Sequence, residues 1–277
     1  MDIKNILRKN NFNFEKKYGQ NFLTDFDLLS RVVDKSGVDS NSTVIEIGVG
    51  AGTLTSEIAK KVKKVYGYEI DTKLKPILKE TLGNYNNIEL VFNDIMKIPM
   101  EEIEEKLGGK YTLIANLPYY ITTPIIMRFI EDAKNCEAII VTIQKEVALR
   151  ICAEPKTSDY GAITASINAV GNSEIIEFIG REKFLPPPNV DSAVVKITLD
   201  KNKYEIKDIN AYKKLIKCAF GMRRKTLVNN LIKDYKISRE DAENKLLSLN
   251  IPITARGEEL SAIDFIKLSE ILNYENS

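Results

Sequence analysis

The tetrapeptide Asn116-Leu117-Pro118-Tyr119 follows a predicted strand and combines groups that suit chemistry on the amine of a nucleobase. Such an amine is a poor nucleophile because its lone pair is delocalised into the ring. Two carbonyl acceptors, the Asn116 side chain and the Leu117 main chain, can hold both N–H groups and direct the lone pair toward an electrophile. Pro118 fixes the turn, and the Tyr119 ring offers a face on which a base can stack. The tetrapeptide alone is a weak signal, and its position after a strand makes it informative.

A glycine-rich segment, EIGVGAG at residues 46–52, places three glycines at the end of the first predicted strand and in the turn after it. At Gly48, Gly50 and Gly52 the absent side chains let main-chain N–H groups approach a ligand. The third glycine comes one residue too early for the dinucleotide-binding pattern, and a turn that serves only packing has the same composition. Glu69 ends the second predicted strand, where a carboxylate can accept both hydroxyls of a ribose. Together these features favour an adenosine ligand.

Asp94 follows the third predicted strand, where its carboxylate can accept hydrogen bonds from an adenine amino group. Taken alone, it is an ordinary helix N-cap. With the glycine turn and Glu69 it completes a pattern for an adenosyl group. The glycines are not followed by the lysine and hydroxyl pair of a P-loop, which disfavours ATP hydrolysis. S-adenosylmethionine needs an adenosine pocket but no phosphate cradle, and is therefore the predicted cofactor.

The chain contains no histidine. This excludes Ser-His-Asp and Cys-His nucleophiles, His-ligated zinc and imidazole proton shuttles. Methylation of an amine needs no general base before attack, because the nitrogen becomes strongly acidic once alkylated and can lose its proton to solvent. We therefore expect the rate enhancement to come chiefly from alignment of amine, methyl carbon and sulfonium sulfur.

From Thr43 onward, short β-branched runs alternate with amphipathic stretches, which predicts a doubly wound, mainly parallel α/β sheet. Two β-rich runs, 174–180 and 192–199, flank the prolines at 186–188 and are expected to add an antiparallel pair at the sheet edge. The predicted strands of the parallel part are 44–48, 65–70, 88–92, 111–115 and 138–143. The predicted helices lie near 53–61, 73–82, 162–170, 212–220, 225–233 and 239–249.

Beyond Asp200 the pattern changes to helical periodicity. Tyr212, Leu215 and Ile216 fall on one face of a predicted helix, with Ala219 and Phe220. The sequence therefore predicts two domains. Residues 1–200 form the catalytic domain, in which 1–42 are an N-terminal cap segment, and residues 201–277 form a small helical domain.

Positive charge concentrates at the start of this second domain. The whole chain has 40 Lys and Arg against 39 Asp and Glu, but residues 201–225 hold nine basic side chains and only two acids. Arg223, Arg224 and Lys225 lie between two predicted helices, and guanidinium groups bind phosphates well. The stretch thus indicates a phosphate-binding patch, although a solvated helix face has the same composition.

The three cysteines, Cys136, Cys152 and Cys218, are too far apart for a metal knuckle or a dense disulfide framework. We expect them to be reduced core residues, as in a cytosolic protein. The N-terminus lacks an apolar run typical of a signal peptide, and nowhere do 18 apolar residues run together. The sequence therefore predicts a cytoplasmic protein without a membrane segment. We also expect a monomer that binds no metal.

Eight segments, in order along nearly the whole chain, resemble the ribosomal RNA adenine N6-dimethyltransferases. They are KKYGQNFL (16–23), EIGVGAG (46–52), YEID (68–71), NDIMKI (93–98), NLPYYITTPII (116–126), QKEVALR (144–150), FLPPPNVDSAVV (184–195) and AFGMRRKTLVNNL (219–231). The ordered set is far more specific than any single motif. The resemblance implies a class I S-adenosylmethionine-dependent methyltransferase domain, Rossmann-like, followed by a small all-α domain that binds RNA.

The resemblance also implies contacts with the cofactor. Asn21 and Leu23 would close over S-adenosylmethionine, and Gly48 would line its methionine and ribose region. Glu69 would hold the ribose and Asp94 the adenine. Within the same N-terminal motif, Gln20 and its aromatic neighbours Tyr18 and Phe22 could instead belong to a helix cap without ligand contact.

At the target base, the resemblance implies that Asn116 bridges the cofactor and the amine, while Tyr119 stacks on the flipped adenine. Phe184 would cover the other face of the base, or else pack under the loop at 186–188. Contacts of the basic cluster with phosphates would position the RNA without reading its sequence. RNA shape and the ease of splaying bases out of the stack would then select the adenosines.

Within the family, the resemblance is closest to the branch that dimethylates two adjacent adenosines in the 3′-terminal hairpin of 16S rRNA during small-subunit assembly. One alternative is the branch that dimethylates 23S rRNA and confers macrolide resistance; the segments FLPPPNVDSAVV and RRKTL favour the first branch. Another alternative is a non-catalytic RNA-binding assembly factor with a vestigial pocket. The presence of Glu69, Asp94 and Asn116 disfavours that alternative.

Overall fold

The computed structural model of the protein describes residues 2–15, 18–200 and 202–273. Lys16 and Lys17, which open the first motif of the resemblance, lie outside the described residues, as does Lys201 of the basic stretch. None of the described helices is both long and apolar enough to span a bilayer. Among the described residues, no cluster of three or more His, Cys, Asp or Glu side chains could hold a metal ion.

The chain divides into two compact units. The first runs up to Ala148 and includes Glu174–Leu199, and the second combines Leu149–Ser173 with the described residues from Asp200 onward. The strands of the described chain are β1 Phe22–Leu23, β2 Thr43–Ile47, β3 Lys64–Glu69, β4 Ile88–Phe92, β5 Tyr111–Asn116, β6 Cys136–Gln144, β7 Gly171–Ile179, β8 Phe184–Leu185 and β9 Ser192–Leu199.

Helices α1 to α6 belong to the first unit, and α8 to α12 belong to the second. Their bounds are α1 Ile3–Lys9, α2 Phe26–Ser36, α3 Thr53–Ala59, α4 Lys75–Leu82, α5 Met100–Leu107, α6 Thr122–Glu131, α7 Lys145–Ile151, α8 Ala162–Val170, α9 Ile209–Gly221, α10 Leu227–Tyr235, α11 Arg239–Ser248 and α12 Ala262–Asn273. The predicted helices agree with α3, α4, α8, α9, α10 and α11.

The first unit is built on a sheet in the order β4-β3-β2-β5-β6-β9-β7. Strands β2 to β6 run parallel to one another, and β9 is antiparallel to β6. Residues along β5 and β6 are almost continuously buried, as is typical of parallel strands covered on both faces. The fold is therefore the predicted mainly parallel, Rossmann-like sheet, with β9 and β7 added at one edge.

The strand order contains a topological switch point. From β2 the chain moves to β3 and β4 on one side, and then returns to place β5 on the other side of β2. In open α/β sheets, ligands bind outside the carboxyl ends of the strands at such a point. A ligand site is therefore expected at the carboxyl ends of β2 and β5.

The second unit is a helical bundle with its own apolar core. On α9, Tyr212, Leu215 and Ile216 are buried, whereas Lys214 and Lys217 are exposed, which confirms the predicted amphipathic face. The Tyr212 hydroxyl donates a hydrogen bond to the main-chain oxygen of Ala165 on α8, at 2.9 Å. Helix α9 therefore packs its apolar face against α8 in this core.

The two compact units differ from the predicted domains at one segment. A break near 200 agrees with the two units, but Leu149–Ser173 belongs to the helical unit and not to the first. The reason is that Ala165 and Ala169 of α8 are buried in the same core as Leu215 and Leu231. Sequence order alone places this helix before the boundary.

Candidate functional site

The glycine turn and the Asn-Leu-Pro-Tyr turn lie side by side at the switch point. Gly48 follows β2 directly, Asn116 is the last residue of β5, and these two strands are parallel neighbours. A Cβ placed on Gly48 would lie 3.8 Å from the main-chain oxygen of Asn116 and 4.0 Å from Cδ of Pro118. The glycine turn and the Asn-Leu-Pro-Tyr turn therefore face one another across a narrow gap.

A cavity opens at this gap, and its lining residues all belong to the first unit. It reaches from the glycine turn to the ends of β3 and β4 and to the N-terminal segment. The predicted site residues that line it are Asn21, Leu23, Gly48, Glu69, Asp94, Asn116, Leu117, Pro118, Tyr119 and Phe184. The structure thus brings the predicted cofactor residues other than Gly50 into one cavity with the predicted amine-binding residues.

Glu69 is held in this cavity by main-chain donors. Its side chain is only 6% exposed, and its two oxygens accept hydrogen bonds from Gly50 N and Asp71 N, each at 2.8 Å. Burial raises the pKa of Glu69, while these N–H groups favour its charged form. A carboxylate oxygen can accept more than one hydrogen bond, so each oxygen keeps capacity for a hydroxyl group.

Gly50, one of the predicted cofactor residues, is not among the residues that line the cavity. Its main chain adopts a left-handed conformation, with φ of +58°, and a Cβ there would lie 2.9 Å from the Phe22 ring. Gly50 therefore acts through the N–H that it donates to Glu69.

Asp94 caps a short helix and also lines the cavity. Its side chain accepts a hydrogen bond from Met96 N at 3.0 Å and so caps the short 3₁₀ helix Ile95–Lys97. The same residue lines the cavity. The cap fixes the carboxylate at the carboxyl end of β4, one strand beyond Glu69.

Asn116 is oriented by the N-terminal segment. Its side-chain Nδ2 donates a hydrogen bond to the main-chain oxygen of Asn21 at 3.0 Å. Because that partner is a carbonyl, the amide must present its NH₂ group there, and Oδ1 is left as the acceptor end. The hydrogen bond to Asn21 therefore fixes the Asn116 amide in the orientation in which Oδ1 can accept a hydrogen bond from an amine.

The N-terminal segment is tied to the cavity by further hydrogen bonds. Gln20 Nε2 donates one to Asp71 at 2.7 Å, and β1 pairs with β8, with Leu23 opposite Phe184. Tyr18, Gln20 and Phe22 also line the cavity. The segment therefore forms one wall of the site.

Two aromatic side chains flank the amine-binding end. Tyr119 is half-buried, and its hydroxyl lies 3.0 Å from Oγ of Ser192, the fully buried first residue of β9. Phe184 is 5% exposed and packs in the apolar core with Leu23, yet it also lines the cavity. Ser192 was not singled out in the sequence, because its interaction with Tyr119 joins residues 73 positions apart.

Glu46 is a cavity residue that sequence reasoning missed. It lies on β2, is 1% exposed, and within the described residues its Oε2 has no hydrogen-bond partner. Burial raises its pKa to about 8. The EIG sequence indicates only a strand by its pattern, although a carboxyl group inside a buried strand is itself a signal.

The basic cluster belongs to the second unit. Arg223, Arg224 and Lys225 are all exposed after the end of α9. One guanidinium nitrogen of Arg223 donates to the main-chain oxygens of Ser158 at 2.7 Å and Tyr160 at 3.2 Å. Arg223 thus holds a loop of its own unit, and Arg224 and Lys225 are the better candidates for binding phosphates.

Comparisons with known proteins place the chain in a family. Residues 11–273 match the family model described as ribosomal RNA adenine dimethylase. A ribosomal RNA small subunit methyltransferase A from Clostridioides difficile is 42% identical over 98% of this chain and 94% of its own length. One from Clostridium botulinum is 41% identical over 98% of both chains.

Solved structures agree with the sequence match. A dimethyladenosine transferase from Plasmodium falciparum is 25% identical, with a TM-score of 0.77, over 92% of this chain and 98% of that one. The 23S rRNA methyltransferase ErmE is also 25% identical, with a TM-score of 0.69, over 91% of this chain and 100% of that one. With its Rossmann-like methyltransferase fold, the chain therefore belongs to the ribosomal RNA adenine dimethylase family.

Proposed function

We propose that the protein transfers methyl groups from S-adenosylmethionine to the N6 amines of two adjacent adenosines in the 3′-terminal hairpin of 16S rRNA. It would act in the cytoplasm, as a monomer, on the assembling small ribosomal subunit. The names of the similar proteins, ribosomal RNA small subunit methyltransferases, support the choice of small-subunit rRNA as the substrate. The observation that carries the proposal is the single cavity lined both by Glu69 and Asp94 and by the Asn116-to-Tyr119 turn.

The residues of the cavity suit an adenosyl cofactor. Glu69 offers two carboxylate oxygens to the ribose, and Asp94 offers an acceptor for the adenine amine. A side chain at Gly48 would fill the gap beside Asn116, so glycine keeps that space open for a ligand. When bound, S-adenosylmethionine supplies an electrophilic methyl group on a sulfonium sulfur.

The turn after β5 would prepare the amine. Asn116 Oδ1 and the main-chain oxygen of Leu117 accept its two N–H groups, which directs the nitrogen lone pair toward the glycine turn. Tyr119, whose hydroxyl is hydrogen-bonded to that of Ser192, stacks on the base. Pro118 O accepts hydrogen bonds from Ile121 N and Thr122 Oγ1 and so holds the turn in shape.

The test of this function is methylation of purified small subunits that lack the modification. After incubation with the protein and S-adenosylmethionine, mass mapping of the 16S rRNA should show two methyl groups on each of two adjacent adenosines. Methylation of 23S rRNA alone would favour the resistance-type alternative. RNA binding without methyl transfer would favour a non-catalytic assembly factor.

Arg224 and Lys225 are expected to bind RNA phosphates. Replacing both with glutamine should weaken rRNA binding and lower the slope of log K against log salt by about 0.7–0.9 for each phosphate that is no longer neutralised. Cofactor affinity should not change, because neither residue lines the cavity. The measurement is a salt titration of binding to the hairpin RNA.

The matched control for that titration replaces Lys63 and Lys79, two exposed lysines of the first unit that do not line the cavity. This pair removes the same net charge, and its salt slope should equal that of the wild type. Equal slopes for all three proteins would rule out the basic cluster as the RNA-binding surface.

A further inference from the structure

Arg128 connects the two ends of the cavity without lining it. It lies on α6, the helix that follows the Asn116-to-Tyr119 turn, and is partly buried. The start of α6 is tied to that turn, because Ile121 N and Thr122 Oγ1 both donate hydrogen bonds to Pro118 O, at 3.1 and 3.2 Å. A residue fixed on α6 is therefore fixed relative to the amine-binding turn.

The guanidinium of Arg128 reaches the segment that carries Asp94. Its two terminal nitrogens donate hydrogen bonds to the main-chain oxygens of Ile95 and Ile98. These carbonyls bracket the short 3₁₀ helix that Asp94 caps through Met96 N. The fork of Arg128 therefore clamps the main chain next to the Asp94 carboxylate.

The geometry of this clamp requires arginine. A planar guanidinium presents two donors at a fixed spacing, whereas a lysine ammonium is a single point on a flexible stem. Both acceptors are neutral main-chain carbonyls, so the clamp fixes position without neutralising a charge.

We propose that Arg128 is a positioning residue, which holds Asp94 at a set distance from the Asn116 turn and so aligns the cofactor's adenine with the target amine. This inference rests on the proposed function, because it requires S-adenosylmethionine to bind at Asp94. Arg128 itself does not line the cavity that would hold substrate and cofactor.

The test is a double-mutant cycle measured by calorimetric titration with S-adenosylmethionine. Arg128→Met should raise the cofactor Kd about tenfold, and Arg128→Lys should raise it less. In an Asp94→Asn background, where the cap is kept and the charge is removed, Arg128→Met should have little further effect. An equal rise in Kd in both backgrounds, or a lower melting temperature with unchanged Kd, would mean that Arg128 is only structural.

Arg31→Met is the matched control. Arg31 belongs to the same unit, its guanidinium lies 4.0 Å from Glu177, and neither residue lines the cavity. Its cofactor Kd should equal that of the wild type. If the wild type binds no S-adenosylmethionine, the proposed function fails; if it binds and Arg128→Met binds equally well, only the role of Arg128 fails. Arg128→Lys keeps the test valid if the methionine variant does not fold.

Discussion

Replacing Asn116 with alanine should lower methyl transfer by well over tenfold, on the order of a hundredfold, while leaving cofactor affinity largely unchanged. The substitution removes the Oδ1 acceptor, which the hydrogen bond from Nδ2 to Asn21 O fixes in orientation. Without it, the amine has only one of the two acceptors that direct its lone pair. Single-turnover methylation and a separate cofactor titration measure the two effects.

Each alternative outcome for Asn116→Ala has a distinct meaning. Near-normal turnover would contradict the acceptor role. A parallel fall in cofactor affinity would assign the defect to the missing hydrogen bond to Asn21, and hence to the N-terminal wall of the cavity.

Replacing Glu69 with glutamine should raise the cofactor Kd by about tenfold to a hundredfold. The side chain lies between two main-chain donors, Gly50 N and Asp71 N, and a glutamine can offer an acceptor oxygen to only one of them. The other N–H is left without its partner, and one ribose hydroxyl is left without an acceptor. Hydrogen bonds to a charged group are worth about 1.5–3 kcal/mol each, which sets the expected range.

The pH dependence provides a second measurement on the same variant. Burial raises the pKa of Glu69 above its ordinary value of 4.5, so the carboxylate takes up a proton as the pH falls through that raised value. The protonated group has less acceptor capacity, and wild-type affinity for the cofactor should fall in that range. In Glu69→Gln this contribution is absent, and the profile should be flatter.

Glu57 supplies the control for Glu69. It is 8% exposed, pairs with Lys60 on the same face of its helix, and does not line the cavity. Glu57→Gln removes a buried carboxylate from the same unit, and its cofactor Kd should be that of the wild type. A loss of affinity equal to that of Glu69→Gln would show that any buried charge in this unit has the same effect.

The strands of the parallel sheet could be predicted because each is a short apolar run between turn residues. Their order could not. Periodicity shows that β5 is a strand, but nothing local shows that it pairs with β2 rather than β4. That pairing brings Gly48 next to Asn116, so the geometry of the site depends on the one feature of the sheet that the sequence does not reveal.

Several helices were missed although local signals exist. Helix α2 is capped by Asp25, ends at the left-handed Gly37, and buries Val32 and Val33. It lies within the 42 residues that the sequence indicates only as a cap segment. Helix α5 lies between Pro99 and Gly108, which also mark its ends.

The role of a single residue was harder to predict where its hydrogen-bond donor binds another group of the protein instead of a ligand. The sequence indicates that a glycine at position 50 approaches a ligand, and that Arg223 binds phosphate. In the structure the Gly50 N–H donates a hydrogen bond to the Glu69 side chain. The Arg223 guanidinium donates to the main-chain oxygens of residues 158 and 160. Such competition depends on interactions between distant segments, which spacing alone does not show.

The most direct test of the shared cavity is a crystal structure with a bisubstrate ligand, an adenosine joined through its N6 atom to an S-adenosylmethionine analogue. We expect its N6 nitrogen to lie within about 3 Å of Asn116 Oδ1 or the Leu117 carbonyl oxygen. The target ring should stack on Tyr119, and the cofactor ribose should contact Glu69. A target adenosine bound outside the cavity, or with N6 turned away from Asn116, would contradict the account.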